Sequence, residues 1–158
     1  MRNLLMLAAA LVCLPAFAQV PVTPHANQAD LLKSSNPTLA ANKKLVYDFW
    51  RTIIVARQLE QTEKFMLPSY IQHNPNVPTG MKAFNEYFSK LPGGRQTIKP
   101  TIDDLVSITA EGDLVTLSFV SKNPDPKDKS KQYTTTSFDM FRIENGKIAE
   151  HWDSWLKQ

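Results

Sequence analysis

The dipeptide Asn145-Gly146 constrains this chain more than any other feature. It separates two runs of β-formers, residues 132–144 and 147–156. Asn-Gly suits a two-residue type I′ turn, because both turn positions need positive φ. The two runs therefore pair antiparallel. Upstream, Glu111-Gly112-Asp113 marks a turn between a strand over 98–109, interrupted near Asp103-Asp104, and a strand over 114–122. The polar stretch 123–131 leads into the third strand. The C-terminal part of the chain is thus read as an antiparallel sheet.

Helices precede the strands. Asn36-Pro37 offers a capping side chain followed by proline at the first helical position. Leu39, Leu45, Val46, Phe49, Trp50, Ile53 and Ile54 then recur at helical steps and form one wide stripe, opposite Asn42, Lys43, Lys44, Asp48 and Arg51. This predicts a helix over 38–57. A second helical piece fits 58–67, stopped by Pro68. Residues 69–78 read as a short strand entering a loop. A third helix over 81–91 carries Met81, Phe84, Tyr87, Phe88 and Leu91, and Pro92-Gly93-Gly94 ends it. Helices first and strands after give one α+β domain over 37–158. With 42% hydrophobic and 21% charged residues, disorder, coiled coil and collagen are excluded. The net charge is +3, but no Lys/Arg block concentrates it, so no nucleic-acid partner is expected.

Residues 1–18 read as a secretory signal peptide. Arg2 precedes an apolar run from Leu4 to Leu14, Pro15 breaks it, and Ala16-Phe17-Ala18 is a small-x-small cleavage site. The run is about half of the roughly 20 residues a membrane span needs. Cys13 follows bulky Val12 where a lipid-attachment signal expects a small residue, and it is the only cysteine. Cleavage after Ala18 therefore predicts a periplasmic or secreted protein with no disulfide. Residues 19–36, with Pro21 and Pro24, are read as an extended leader. No later apolar stretch reaches membrane length, so no membrane span is expected.

Few residues can do chemistry. Past the leader, which holds His25, only His73 and His151 carry imidazoles. An imidazole titrates near neutrality and serves as acid or base without tuning. The alternative for His73 is a local hydrogen bond that shapes the Asn74-Pro75 turn. On the last strand, alternation groups Ala149, His151, Asp153 and Trp155 on one face, and Ile148, Glu150, Trp152 and Leu156 on the other. A buried His and Asp on one strand face need partners, which a polar-floored cavity would supply; a solvent-exposed face is the alternative. His73, His151 and Asp153 could in principle form a two-His-one-carboxylate site, but their spacing is not diagnostic and no metal is expected. Nor is there a Gly-rich phosphate loop or a Gly-x-Ser-x-Gly elbow, so no cofactor is expected.

Three features together resemble the SnoaL-like polyketide cyclase family, within the wider nuclear transport factor 2-like superfamily. They are the order of helices, the segment Tyr70-Ile71-Gln72-His73-Asn74-Pro75, and the hairpin from Phe138 to Asp153. The similarity spans roughly 39–156. It implies a strongly curved antiparallel sheet wrapped around a cavity, with N-terminal helices completing a cone. That scaffold hosts cyclases, isomerases, epoxide hydrolases and silent binders, so fold alone does not fix activity. By the resemblance, His73 lies in the pocket wall and Asp153 falls where limonene epoxide hydrolase-like members have a carboxylate. Asp139, three residues before Arg142, is similar to the carboxyl that ketosteroid isomerases keep protonated to donate to an oxyanion. Ile143 stands where an aromatic is usual, and Asn74 replaces the isomerase base.

These features imply an exported protein that binds a small, mostly apolar molecule and catalyses a cofactor-free cyclisation, isomerisation or hydration. His73 would be the base, His151 and Asp153 a paired acid–base unit, and Asp139 the oxyanion donor. Trp50, Tyr70, Asn74, Phe141 and Trp155 would contact the substrate. The rival is a non-catalytic periplasmic ligand-binding or dimerisation module; homodimer formation is left open. Hairpin register decides whether Asp139 can take part. A plain two-residue turn puts Asp139 and His151 on opposite faces, whereas a glycine-bulge turn or a later bulge puts them together. The shifted register is the one expected.

Overall fold

The computed structural model describes residues 19–158; the expected signal peptide, residues 1–18, lies outside the described residues. Among them, no helix is long and apolar enough to cross a membrane. The architecture is α+β. Helices α1 (Gln28–Leu31), α2 (Pro37–Phe49) and α3 (Met81–Ser89) accompany strands β1 (Met66–Gln72), β2 (Leu105–Glu111), β3 (Leu114–Pro124), β4 (Gln132–Glu144) and β5 (Lys147–Asp153).

Asn36 caps α2 as expected: its side-chain oxygen accepts from the Thr38 amide at 2.9 Å. The helix does not stay α-helical to Arg57. It widens into a π-helical turn over Trp50–Val55, where Ala56 N–H donates to the Arg51 carbonyl. Such turns re-aim side chains and recur at functional sites. The next piece is a 3-10 helix, Leu59–Lys64. Pro68 does not stop a helix; it lies inside β1, which is tolerated because β1 is an edge strand.

The sheet has the order β1-β5-β4-β3-β2 and is open. It is mixed rather than wholly antiparallel: β1 runs parallel to β5, and the other pairings are antiparallel. A parallel neighbour needs a long crossover, and here everything from α3 to β4 intervenes. The expected strand over 98–109 starts only at Leu105, and β5 ends at Asp153, short of Leu156. Val46, Phe49, Ile53, Phe84, Leu117 and Phe141 form the core between the helices and the concave sheet face.

The stretch read as a leader is tied down. Val22 N–H donates to Thr134 Oγ1 at 2.7 Å, and His25 N–H to the Leu105 carbonyl at 2.8 Å. Gln28 is buried; its amide donates to the Ile102 carbonyl and accepts from the Tyr47 hydroxyl and the Ile102 amide.

The hairpin combines both registers. Asn145 and Gly146 have φ of 51° and 72°, and Glu144 faces Lys147, so the turn has two residues. The pairing then slips. Ile143 faces Ile148, but Arg142 faces Glu150 and Asp139 faces Asp153, which leaves Ala149 as the extra residue of a bulge. The expected shift is present, and the strand rather than the turn produces it. Ile148, assigned above to the face opposite His151, consequently joins it in the core.

Candidate functional site

The site begins with alternation on β1. Gln72 is register partner to His151 on β5, so the two share a sheet face. Tyr70, Gln72 and Asn74 look into the concave side, and Ile71 and His73 look away. The bulge on β5 brings Asp139, His151 and Asp153 to the same concave side. Together these residues floor a cavity of about 340 Å³ whose walls include Phe49, Trp50, Phe84, Phe88, Phe141 and Trp155. The π-helical turn contributes Trp50 and Ile54 to that wall. Phe141 packs against the His151 ring at 4.7 Å and edge-on to Phe49 at 5.8 Å, which fixes the imidazole plane.

A hydrogen-bond inventory assigns the protons. The Asn74 backbone N–H donates to Gln72 Oε1 at 3.0 Å. A backbone amide can only donate, so this contact fixes which end of the Gln72 amide is oxygen. The same oxygen lies 2.7 Å from His151 Nδ1, which must therefore carry a hydrogen. His151 Nε2 lies 2.9 Å from Asp139 Oδ1. That contact needs one proton between the two atoms, as an imidazolium–carboxylate or as a neutral imidazole–carboxylic acid pair. Both residues are buried, with 6% and 8% of their surface exposed. Asp139 Oδ2 has no hydrogen-bond partner among the described residues. The other end of Gln72 donates to the Tyr70 hydroxyl at 2.9 Å. Burial, and then the nearby Asp153 and Asp139 carboxylates, push the Tyr70 phenol far above its ordinary range, so it stays protonated.

Asp153 accepts from Asn74 Nδ2 at 2.7 Å and from the Trp155 amide at 3.0 Å. Asp139, His151 and Asp153 offer ligand atoms within 4.8 Å of one another, but both ring nitrogens of His151 are engaged.

His73 is the main correction. Its side chain is 43% exposed and lies on the convex face of the sheet, one residue out of phase with the cavity. There Nε2 meets Glu150 Oε1 at 2.7 Å and the ring stacks on Trp152 at 5.1 Å. Glu150 also accepts from Arg142 Nε at 2.9 Å. The hydrogen bond from His73, then that from Arg142, holds the Glu150 carboxyl below its ordinary range. Of the expected contact residues, Trp50, Tyr70, Asn74, Phe141 and Trp155 all line the cavity, Trp155 at its exposed edge. Gln72 was not among the candidates. The signal for it was period two: with Tyr70 and Asn74 both inward, Gln72 must be inward and His73 outward.

A family model described as "SnoaL-like domain" matches residues 46–151. The chain belongs to the SnoaL-like family. Solved structures with related folds support that assignment at the level of architecture. A protein of Acidithiobacillus ferrooxidans described as a polyketide cyclase matches with a TM-score of 0.52 and 15% identity, over 77% of this chain and 89% of the other. A SnoaL-like polyketide cyclase of Jannaschia sp. CCS1 gives 0.52 and 15%, over 75% and 88%. A Xanthomonas campestris protein of unknown function with a cystatin-like fold gives 0.50 and 18%, over 71% and 88%. At such identities the likeness is one of fold alone. No curated protein matches the sequence.

Proposed function

We propose that this chain is an exported SnoaL-like protein that binds a small, mostly apolar molecule in its cavity and carries out a cofactor-free acid–base step there. One observation carries this reading: a carboxylate and an imidazole sharing one proton at the floor of an aromatic-walled cavity. In its ionised form Asp139 takes a proton from a carbon beside a carbonyl. The C–H electron pair stays on the substrate as an enolate, and the proton is then delivered to another substrate atom, which restores the pair. Cyclisations and isomerisations both use such a step. His151 holds the shared proton against Asp139, and Asp153 orients Asn74 beside it. His73 has no part, because Glu150 and Trp152 occupy it on the far face.

Mass spectrometry of small molecules that co-purify with the protein names the ligand. With that ligand, Asp139→Asn keeps the hydrogen bond to His151 Nε2 but cannot move a proton. It should lower turnover about 10²–10⁴-fold while the fold survives. Full turnover in Asp139→Asn refutes the catalytic role, and binding without turnover in the parent leaves a ligand-binding module. Export is tested by intact mass on protein from the cell envelope: retention of Met1 to Ala18 contradicts it.

A further inference from the structure

We propose that the Tyr70 hydroxyl is the anchoring donor of this cavity, and that the molecule it anchors is an uncharged ring compound bearing an acceptor oxygen, a ketone or ester. This rests on the cavity being the ligand site. Three observations carry it. The hydroxyl belongs to a side chain that is 1% exposed. It accepts from Gln72 Nε2 and, among the described residues, has no acceptor of its own. Gln72 cannot turn to supply one, because its oxygen is held by the Asn74 amide and by His151. A buried O–H with no acceptor is a standing vacancy for one lone pair. The Tyr70 ring, edge-on to Phe84 at 5.8 Å, has no freedom to look elsewhere.

Charge selects the ligand further. The cavity is lined by Asp139, Asp153 and one histidine, with no lysine or arginine. An incoming carboxylate or phosphate would meet the Asp153 carboxylate and no lysine or arginine, while His151 is already paired to Asp139, so a neutral acceptor is favoured over an anion. Burial, and after it the same carboxylates, keeps the phenol protonated, so it donates rather than ionises.

Three probes of one shape separate the elements of this proposal: 2-acetylnaphthalene, 2-ethylnaphthalene and 2-naphthoate. Binding to the full protein is read by titration at neutral pH. The ketone should bind about fivefold or more tighter than the ethyl compound, a hydrogen bond's worth, and the naphthoate weakest. Tyr70→Phe should erase the ketone's advantage and leave the ethyl compound unchanged. The carbonyl stretch of the bound, ¹³C-labelled ketone should move to lower frequency in the parent and relax in Tyr70→Phe. Equal binding of ketone and ethyl compound overturns the donor role while leaving the cavity as a ligand site. Tightest binding of naphthoate overturns the neutral-ligand selection. If none of the three binds, the cavity reading itself fails, and this inference with it.

Discussion

The residue that follows β1 and the strand β5 place one histidine on each side of the sheet, and the two live in different chemistry. His151, on the concave side, is buried between a carboxylate and an amide whose orientation is fixed. His73, one residue past β1, is half in water, stacked on Trp152 and paired to Glu150. Residue type is the same and both touch a carboxylate. What separates them is the phase of the strand: period-two alternation assigns the side, and the side assigns the solvent. A histidine near the cavity in space is therefore not a histidine of the cavity.

The sharpest way to break this contrast is to remove its cause. Inserting an alanine between Glu150 and His151 moves the rest of β5 on by one residue, which turns His151 and Asp153 outward and brings Trp152 inward opposite Asp139. Splitting the buried His151–Asp139 pair leaves Asp139 without its partner and should cost about 3–5 kcal/mol, read as loss of a cooperative melt. A variant that melts like the parent would show that the phase of β5 does not set the site. Next in size is Asp139→Ala, which leaves His151 Nε2 facing no partner. Denaturant unfolding should show a loss of about 1–3 kcal/mol, against less than about 1 kcal/mol for His73→Ala on the wet side.

Gln72→Leu sharpens the comparison without touching either histidine. It removes the acceptor that fixes His151 Nδ1–H, so the ¹⁵N shifts of that ring should move while those of His73 stay in place. Unchanged His151 shifts would remove Gln72 as the positioning residue. The smallest effect belongs to Glu150→Gln. A carboxyl held below its ordinary range contributes stability above its unfolded value and loses it as pH falls through the lowered native value. The melting temperature should thus fall by about 1–3 °C at neutral pH, and the deficit should vanish in acid. A deficit that persists in acid would assign the loss to packing on Trp152 instead.

Local features were legible in the sequence, and pairings between distant segments were not. Asn36-Pro37 announced the start of α2 and Asn145-Gly146 the hairpin, because each is a short-range steric or hydrogen-bonding device. The α+β order also followed from periodicity, whereas the cavity came only with the family resemblance. The π-helical turn at Trp50–Val55 was hidden, since the stripe of Trp50, Ile53 and Ile54 fits either helix. The bulge at Ala149 is set by what β4 offers across the ladder, and the parallel place of β1 depends on a partner far along the chain. The resemblance puts His73 in the pocket wall, whereas alternation with Tyr70 and Asn74 puts it on the outer face.

The parallel pairing of β1 with β5 has a kinetic consequence. Gln72 and His151 lie 79 residues apart, as do Asn74 and Asp153. The strand that completes the cavity floor is the last of the five in chain order, and it inserts between β1 and β4. Long loops must close before those contacts return any stabilisation, which makes assembly slow. A growing chain cannot close this core until β5 has emerged, because β5 is what joins β1 to the rest of the sheet.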